Sequence, residues 1–178
     1  MNLERETALV EAILFLESDP IDVSGISKIS GLSDEVVLAT LSRLQENYDN
    51  QQSGLVVDEI AGGFILAPRA DLWTALKARY GKKNEMNLSR AALETLSVIA
   101  YSQPVTKAEI ESIRGVSPDG MIRLLLSKKL IKHVGKKDSP GRPVQYGTTE
   151  DFLKIFRLSS IADLPRLDEL DEERFNLE

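Results

Sequence analysis

The chain has 178 residues, 42% of them apolar and 28% charged, which suits one ordinary domain or two small ones and excludes wholesale disorder. It has no cysteine, which removes disulfides, thiolate zinc sites and cysteine nucleophiles together and fits a reducing compartment. The net charge of −6 is unevenly spread: residues 1–80 carry 6 Lys/Arg against 13 Asp/Glu, residues 81–158 carry 14 against 8, and residues 159–178 carry 2 against 7, so the blocks are expected to serve different ends.

The opening residues, Met1-Asn2-Leu3-Glu4-Arg5-Glu6, lack the basic and apolar regions of a signal peptide. No apolar run reaches the length of a membrane span, because Glu11 and Glu17 interrupt the richest one. Leu9, Ala12, Ile13 and Leu16 follow the i, i+3, i+4, i+7 stripe of a first helix, which Pro20 ends. Asp22 suits the N-cap of a short second helix carrying Ile26 and Ile29, and Gly31 closes it where a positive φ is often needed. Ser33 caps a third helix with the stripe Val37, Thr40, Leu41, Leu44 and Tyr48. Leu55–Ile60 and Phe64–Ala67 alternate around Gly62-Gly63, a hairpin signal. A helix from about Arg69 to Tyr80, carrying Leu72, Trp73 and Leu76, finishes this part.

Displaced by 84 residues, the sequence matches itself without gaps over the first half of each copy. Ser18, Pro20, Ile26, Ile29, Gly31, Ser33 and Leu41 fall on Ser102, Pro104, Ile110, Ile113, Gly115, Ser117 and Leu125. One domain is therefore expected over 1–80 and a second over 88–158, joined by a polar linker over 81–87. In the second copy Ser89 caps a helix through Tyr101, Thr106 caps Lys107–Arg114, Gly115 closes it, and Ser117 with Pro118 at the first helical position starts the third helix. Ile131–Lys136 and Val144–Thr148 flank a Pro/Gly-rich wing, and Thr149 caps a last helix through Phe156. Three helices with a short second one, followed by a hairpin, give a mainly α fold with short β-hairpins (α+β): two tandem winged helix-turn-helix domains. Residues 159–178 place Ile161, Leu164, Leu167, Leu170 and Phe175 among seven acids and are expected to form a disordered acidic tail or a segment that folds on something.

No nucleophile–base–orienter set can be assembled, so an enzyme is not expected, nor a metal or other cofactor. The single histidine, His133, falls on a predicted strand with no second ligand, and no phosphate-binding glycine loop is present. The recognition helices decide between partners. A DNA reader places Arg, Lys, Asn or Gln on the outward face of the third helix. In the first copy that face is expected to hold Glu35, Leu38, Ala39, Ser42, Gln45 and Asp49, which would repel phosphate. In the second it is expected to hold Asp119, Ile122, Arg123, Leu126 and Ser127. The equivalent aliphatics Leu38 and Ile122 either meet a partner protein or are covered by another helix of the chain. The basic wing, with Lys136, Lys137 and Arg142, and the nearby Lys128, Lys129 and Lys132, suits a phosphate backbone, a solvated face or an acidic partner.

The run Leu88-Ser89-Arg90-Ala91-Ala92-Leu93-Glu94-Thr95-Leu96, followed by Ile99-Ala100-Tyr101, Gln103-Pro104-Val105-Thr106, Glu109-Ile110-Glu111 and Ile113-Arg114-Gly115-Val116, closely resembles the segregation and condensation protein B family. The wing, Gly135-Lys136-Lys137 with Pro140-Gly141-Arg142-Pro143 and Tyr146-Gly147-Thr148-Thr149, and then Phe152-Leu153, are similar too. In the first half only Glu11-Ala12-Ile13-Leu14-Phe15 and the Gly62-Gly63 turn resemble it. The resemblance implies a cytoplasmic, nucleoid-associated homodimer of tandem winged helices with no catalysis of its own. It also implies binding to the kleisin subunit (ScpA) of an SMC ATPase complex and a role in chromosome condensation and segregation, with DNA contact indirect or weak. The competing class is a winged-helix DNA-binding transcription regulator. On the leading reading, dimerisation is expected through Leu38, Ala39 and Ser42, and kleisin docking through Ile122, Arg123, Leu126, Arg142 and Tyr146. For the last two the alternatives are an arginine that orders the wing loop and a core tyrosine.

Overall fold

The computed structural model describes residues 3–80 and 88–165, so the expected linker over 81–87 and the chain beyond 165 lie outside the described residues. The fold is α+β, and the chain divides into two compact units, Met1–Glu85 and Met86–Glu178.

In the first unit α1 (Glu4–Leu16), α2 (Val23–Ser30) and α3 (Asp34–Asn50) precede a hairpin of β1 (Leu55–Ile60) and β2 (Gly63–Pro68). A 3-10 turn at Ala70–Leu72 then leads into α4 (Trp73–Tyr80). The local signals act as expected. Asp22 Oδ1 accepts from the Gly25 amide at 2.7 Å, Gly31 ends α2 with φ 72°, and the Ser33 hydroxyl accepts from the Val36 amide. Val37, Thr40, Leu41 and Leu44 of α3 are buried and pack with Val10, Ile13, Leu14, Ile26 and Val57. The stripe expected on α1 is corrected. Its inward residues are Thr7, Val10, Ile13 and Leu14, while Leu9, Ala12 and Leu16 are exposed. From Ala8 to Leu16 only Glu11 is polar, so two stripes satisfy the helical period and the period alone does not choose between them.

The hairpin turn also sits one residue earlier than expected. Ile60 pairs with Gly63, and the two turn residues are Ala61 and Gly62, with φ 53° and 75°. Gly63 is instead the buried first residue of β2. A Cβ there would lie 2.9 Å from the Pro20 carbonyl carbon, so glycine serves close backbone approach rather than the turn. That approach is a pairing: Ile21 N–H donates to Phe64 O at 3.0 Å and Phe64 N–H to Ile21 O at 2.8 Å.

The second unit runs α5 (Arg90–Ser102), β3 (Val105–Thr106), α6 (Lys107–Arg114), α7 (Asp119–Ser127), β4 (Ile131–Lys136), β5 (Val144–Thr148) and α8 (Glu150–Phe156). The sheet order is β3-β5-β4, all antiparallel, with a bulge between His133 and Gly135. Val105 pairs with Tyr146, and it is the repeat equivalent of Ile21, which pairs with Phe64. Several motif residues prove to be joints. The Gln103 side chain, just past α5, accepts from Thr148 N at 2.7 Å and donates to Ala100 O at 3.1 Å. A Cβ on Gly147 would meet that Gln103 oxygen at 2.9 Å. The core gathers Leu96, Ile99, Val105, Ile110, Ile122, Leu125, Leu130, Ile131 and Phe152.

Two further expectations change here. α7 starts at Asp119, one residue late, with Pro118 as its N-cap. The Ser117 hydroxyl, expected to cap this helix, donates to the Asp119 carboxylate at 3.2 Å. Residues 159–165, expected as part of the tail, are ordered against the second unit. Leu158 and Leu164 pack on the core, Ser160 and Asp163 form a capping box around a 3-10 turn at Ile161–Asp163, and Tyr101 Oη donates to Pro165 O at 2.7 Å. Residues 159–165 thus belong to the second unit, since Leu158 before them and Leu164 within them are partly buried against its core.

Gly115 ends α6 with φ 71° and open space where a Cβ would be. The cost of a side chain is therefore conformational and not steric. Gly115→Val should lower stability by about 1 kcal/mol or more, read as a lower thermal midpoint, and an unchanged midpoint would contradict the tight α6–α7 turn.

Candidate functional site

The expected docking residues do not form one exposed patch. Ile122 is 4% exposed and packs in the second core; Leu126 is half-buried against the same core. Placing Ile122 outward is therefore a correction: α7 packs on the second core through Ile122 and Leu125, so the outward face of α3 does not carry over to it whole. Transferring the face of α3 by the repeat makes Ile122 the counterpart of Leu38, which is 50% exposed. In α7 the buried positions are instead Pro118, Ile122 and Leu125. Arg123 is exposed and its Nε donates to Asp119 O at 3.4 Å. Arg142 is exposed on the wing with φ 41°. Tyr146 is half-buried, packs on the core and meets His133 edge-on at 5.3 Å, which favours its core reading. On α3 the residues Leu38, Ala39 and Ser42 are exposed together with Glu35, Gln45 and Asp49, so that face is acidic and apolar as expected.

Two surfaces lay outside the sequence reading of sites. The first is the outer side of α1. Ala8, Leu9, Ala12, Phe15 and Leu16 are all exposed, Phe15 by 75% and Leu16 by 78%. A helix apolar on both sides of its axis ordinarily buries both. The sequence signal for this surface is the apolar excess of residues 8–16, where only Glu11 is polar. The second is a groove of about 630 Å³ between α5 and α6, lined by Arg90, Leu93, Glu94, Val98, Ile113 and Arg114. Leu93 and Ile113 are exposed on it, while Glu94 lies between Arg90 Nε at 3.1 Å and Arg114 Nη2 at 3.4 Å. The repeat marked Ile113 without revealing its role. Of the paired isoleucines, Ile26 and Ile110 are both fully buried, whereas Ile29 and Ile113 are both more than half exposed.

The wing is fixed at its base by charge. Glu109 receives Lys137 Nζ on one carboxylate oxygen, and on the other the Thr106 amide and hydroxyl, both at 2.8 Å. The Lys137 hydrogen bond first, then those of Thr106, lower the Glu109 pKa from 4.5 to about 2. In the first unit, burial and then the hydrogen bond to Glu11 raise the Tyr48 hydroxyl to about 12, in a contact that joins α3 to α1. Lys128, Lys129, Lys132 and Lys136 are exposed around the wing. Among the described residues no cluster of three or more His, Asp or Glu side chains is placed to hold a metal, and no helix is long and apolar enough to cross a membrane. The arrangement offers surfaces for recognition.

The family model described as segregation and condensation complex subunit ScpB matches residues 8–167. The chain is similar to segregation and condensation protein B of Acetivibrio thermocellus, 39% identical over 166 residues, covering 93% of this chain and 84% of that protein. Among solved structures it is similar to ScpB from Mycobacterium tuberculosis, at 30% identity and a TM-score of 0.43, covering 89% of this chain and 98% of that one. It is also similar to a dimer of the ScpB N-terminal domain complexed with ScpA peptide, at 28% identity and a TM-score of 0.41, covering 44% and 98%.

The Glu109 joint sets a pH dependence. Its pKa is depressed on folding, so its contribution is present above the unfolded value of 4.5 and is lost as pH falls toward about 2. Thermal midpoints of the wild type and of Glu109→Gln should therefore differ at pH 6, with the wild type higher, and converge between about pH 4.5 and 2. A gap that stays constant across that window would show that the carboxylate is not the source.

Proposed function

The chain belongs to the segregation and condensation complex subunit ScpB family, and from that premise we propose that it is a non-catalytic adaptor. In this reading it is a cytoplasmic, nucleoid-associated homodimer that binds the kleisin (ScpA), and through it an SMC ATPase, in chromosome condensation and segregation. The observation that carries it is the family match, which spans residues 8–167 and so takes in both units. Each unit is read as a winged helix-turn-helix, with α1–α3 and α5–α7 as the helical triads and the two hairpins as wings. The boundaries 1–80 and 88–158 are retained, the latter extended to 165 by the packing of Leu158 and Leu164.

Dimerisation through the first unit is supported by the outer face of α1. Burying Phe15 and Leu16 against a second copy would contribute about 1.5–3 kcal/mol for each side chain. Leu38, Ala39 and Ser42 remain an exposed apolar supplement on α3. Kleisin docking on the second unit is supported by exposed cations, Arg123, Arg142 and the wing lysines, which would steer an acidic partner. Leu126 and Tyr146 then act mainly as supports for that face, and Ile122 has no part in it. The acidic outer face of α3, with Glu35 and Asp49, disfavours the transcription-regulator reading.

Light scattering on the full chain should give twice the chain mass. Phe15→Glu combined with Leu16→Glu should halve it without changing the circular dichroism. A wild-type monomer, or a variant that stays dimeric, would remove α1 from the interface.

Calorimetric titration with the cognate kleisin should show Arg123→Glu and Arg142→Glu each weakening binding about tenfold at unchanged mass. Wild-type affinity in both variants would place the dock elsewhere.

A further inference from the structure

We propose that α4 of one copy docks on the outer face of α3 in its partner, in a reciprocal exchange across the dimer. This rests on the dimeric reading of the first unit and adds an element to its interface. α4 buries none of its eight residues. Helices shorter than about 12–15 residues are marginal in water, and most of their stability in proteins comes from packing an apolar face. α4 has such a face. Trp73, Leu76 and Tyr80 recur at the i, i+3, i+7 spacing of one helical stripe; Leu76 is half-buried, while Trp73 and Tyr80 are exposed. The chain is held to its own unit just ahead of this stripe, where the Arg69 amide donates to Gly54 O at 3.0 Å and Leu72 lies over Gly54. Trp73 is the single tryptophan of the chain, and Trp and Tyr are among the side chains that most often anchor protein interfaces.

Charge selects the surface that receives it. Arg69 pairs with Asp71, and the cations of α4 itself are Lys77 and Arg79, both exposed. α3 carries the opposite sign, with Asp34, Glu35, Glu46 and Asp49 against Arg43 alone. Its outer face sets Leu38, Ala39 and Ser42 between the exposed Glu35 and Glu46. Alanine and serine there are short enough for an aromatic ring to lie close to the helix. Let the two helices run in the same direction with Trp73 over Leu38 and Ala39 of the partner subunit. Lys77 and Arg79 then lie about 6 and 9 Å farther along, and Glu46 of the partner subunit about 12 Å, within reach of both cations. Two α3 faces set against each other would oppose acid to acid, so α4 is the better cover for that face.

The single tryptophan makes the test direct. Diluting the full chain, followed by Trp73 emission and by sedimentation, should give one dissociation constant, with Trp73 shielded from acrylamide in the dimer and open to it in the monomer. Lys77→Glu and Glu46→Lys should each weaken the dimer about tenfold, since the reversal acts at both symmetric contacts. An equimolar mixture of the two variants should regain wild-type affinity as a heterodimer, because each contact then joins opposite charges. A wild-type monomer would remove the dimeric reading and the docking of α4 with it. A dimer whose affinity is unmoved by either reversal, or is not regained in the mixture, would overturn the docking of α4 and leave the dimer standing. Trp73 shielded in the monomer would seat α4 on its own chain, and shielding that arises only on adding the kleisin would seat it on that partner; each outcome overturns the proposal.

Discussion

Each unit is closed by a short backbone pairing between the residues after its first helix and the second strand of its hairpin. Ile21 exchanges two hydrogen bonds with Phe64; Val105 and Thr106 pair with Tyr146 and Gln145. A two-stranded ribbon alone is marginal in water, and the clip adds backbone pairing to the core contacts that Val57 and Ile131 already make. With it, the strand is drawn over the helical triad, and Phe64 and Tyr146 pack on their respective cores. The close approach explains Gly63, whose missing Cβ leaves room for the Pro20 and Ile21 backbone. The Gln103 side chain performs a related task in the second unit, holding the end of α5 to Thr148.

The elements that were legible in the sequence are those set by local chemistry. Asp22, Ser33, Ser89, Thr106 and Thr149 cap helices, and Gly31 and Gly115 end them in the left-handed region, because these preferences act over three or four residues. What the sequence hid depends on competition or distance. α1 offers two apolar faces, and only packing against α3 selects Val10 and Leu14. The Ser117 hydroxyl has the Asp119 carboxylate as an alternative to the helix backbone, and the carboxylate wins. Ala61 accepts a positive φ, which left Gly63 free for a different duty. The anchoring of Pro165 by Tyr101 joins residues 64 apart and had no local signal. The candidate surfaces suffered most, since an exposed leucine and a buried one look alike until the helix phase is known.

The two units spend a common architecture on opposite electrostatics. The first is acidic, and its exposed apolar residues cluster on α1 and α3; in the second, residues 88–165 carry 12 Lys/Arg against 8 Asp/Glu, with several exposed cations around the wing. On the proposed function, repeated structure with divergent charge would let one half bring copies of the chain together while the other meets a different molecule. The same chain then has no need of two folds.

The unequal burial of α3 and α7 has a practical meaning for anyone who moves residues between the halves. Leu41 and its counterpart Leu125 are both buried, yet Leu38 is exposed where Ile122 is buried, and Leu44 is buried where Lys128 is exposed. A surface motif copied from α3 to α7 by the 84-residue offset would therefore be planted partly in the core. The duplicated halves share caps and turns but not the burial of every paired position, and a substitution tolerated in one is no sure guide to the other.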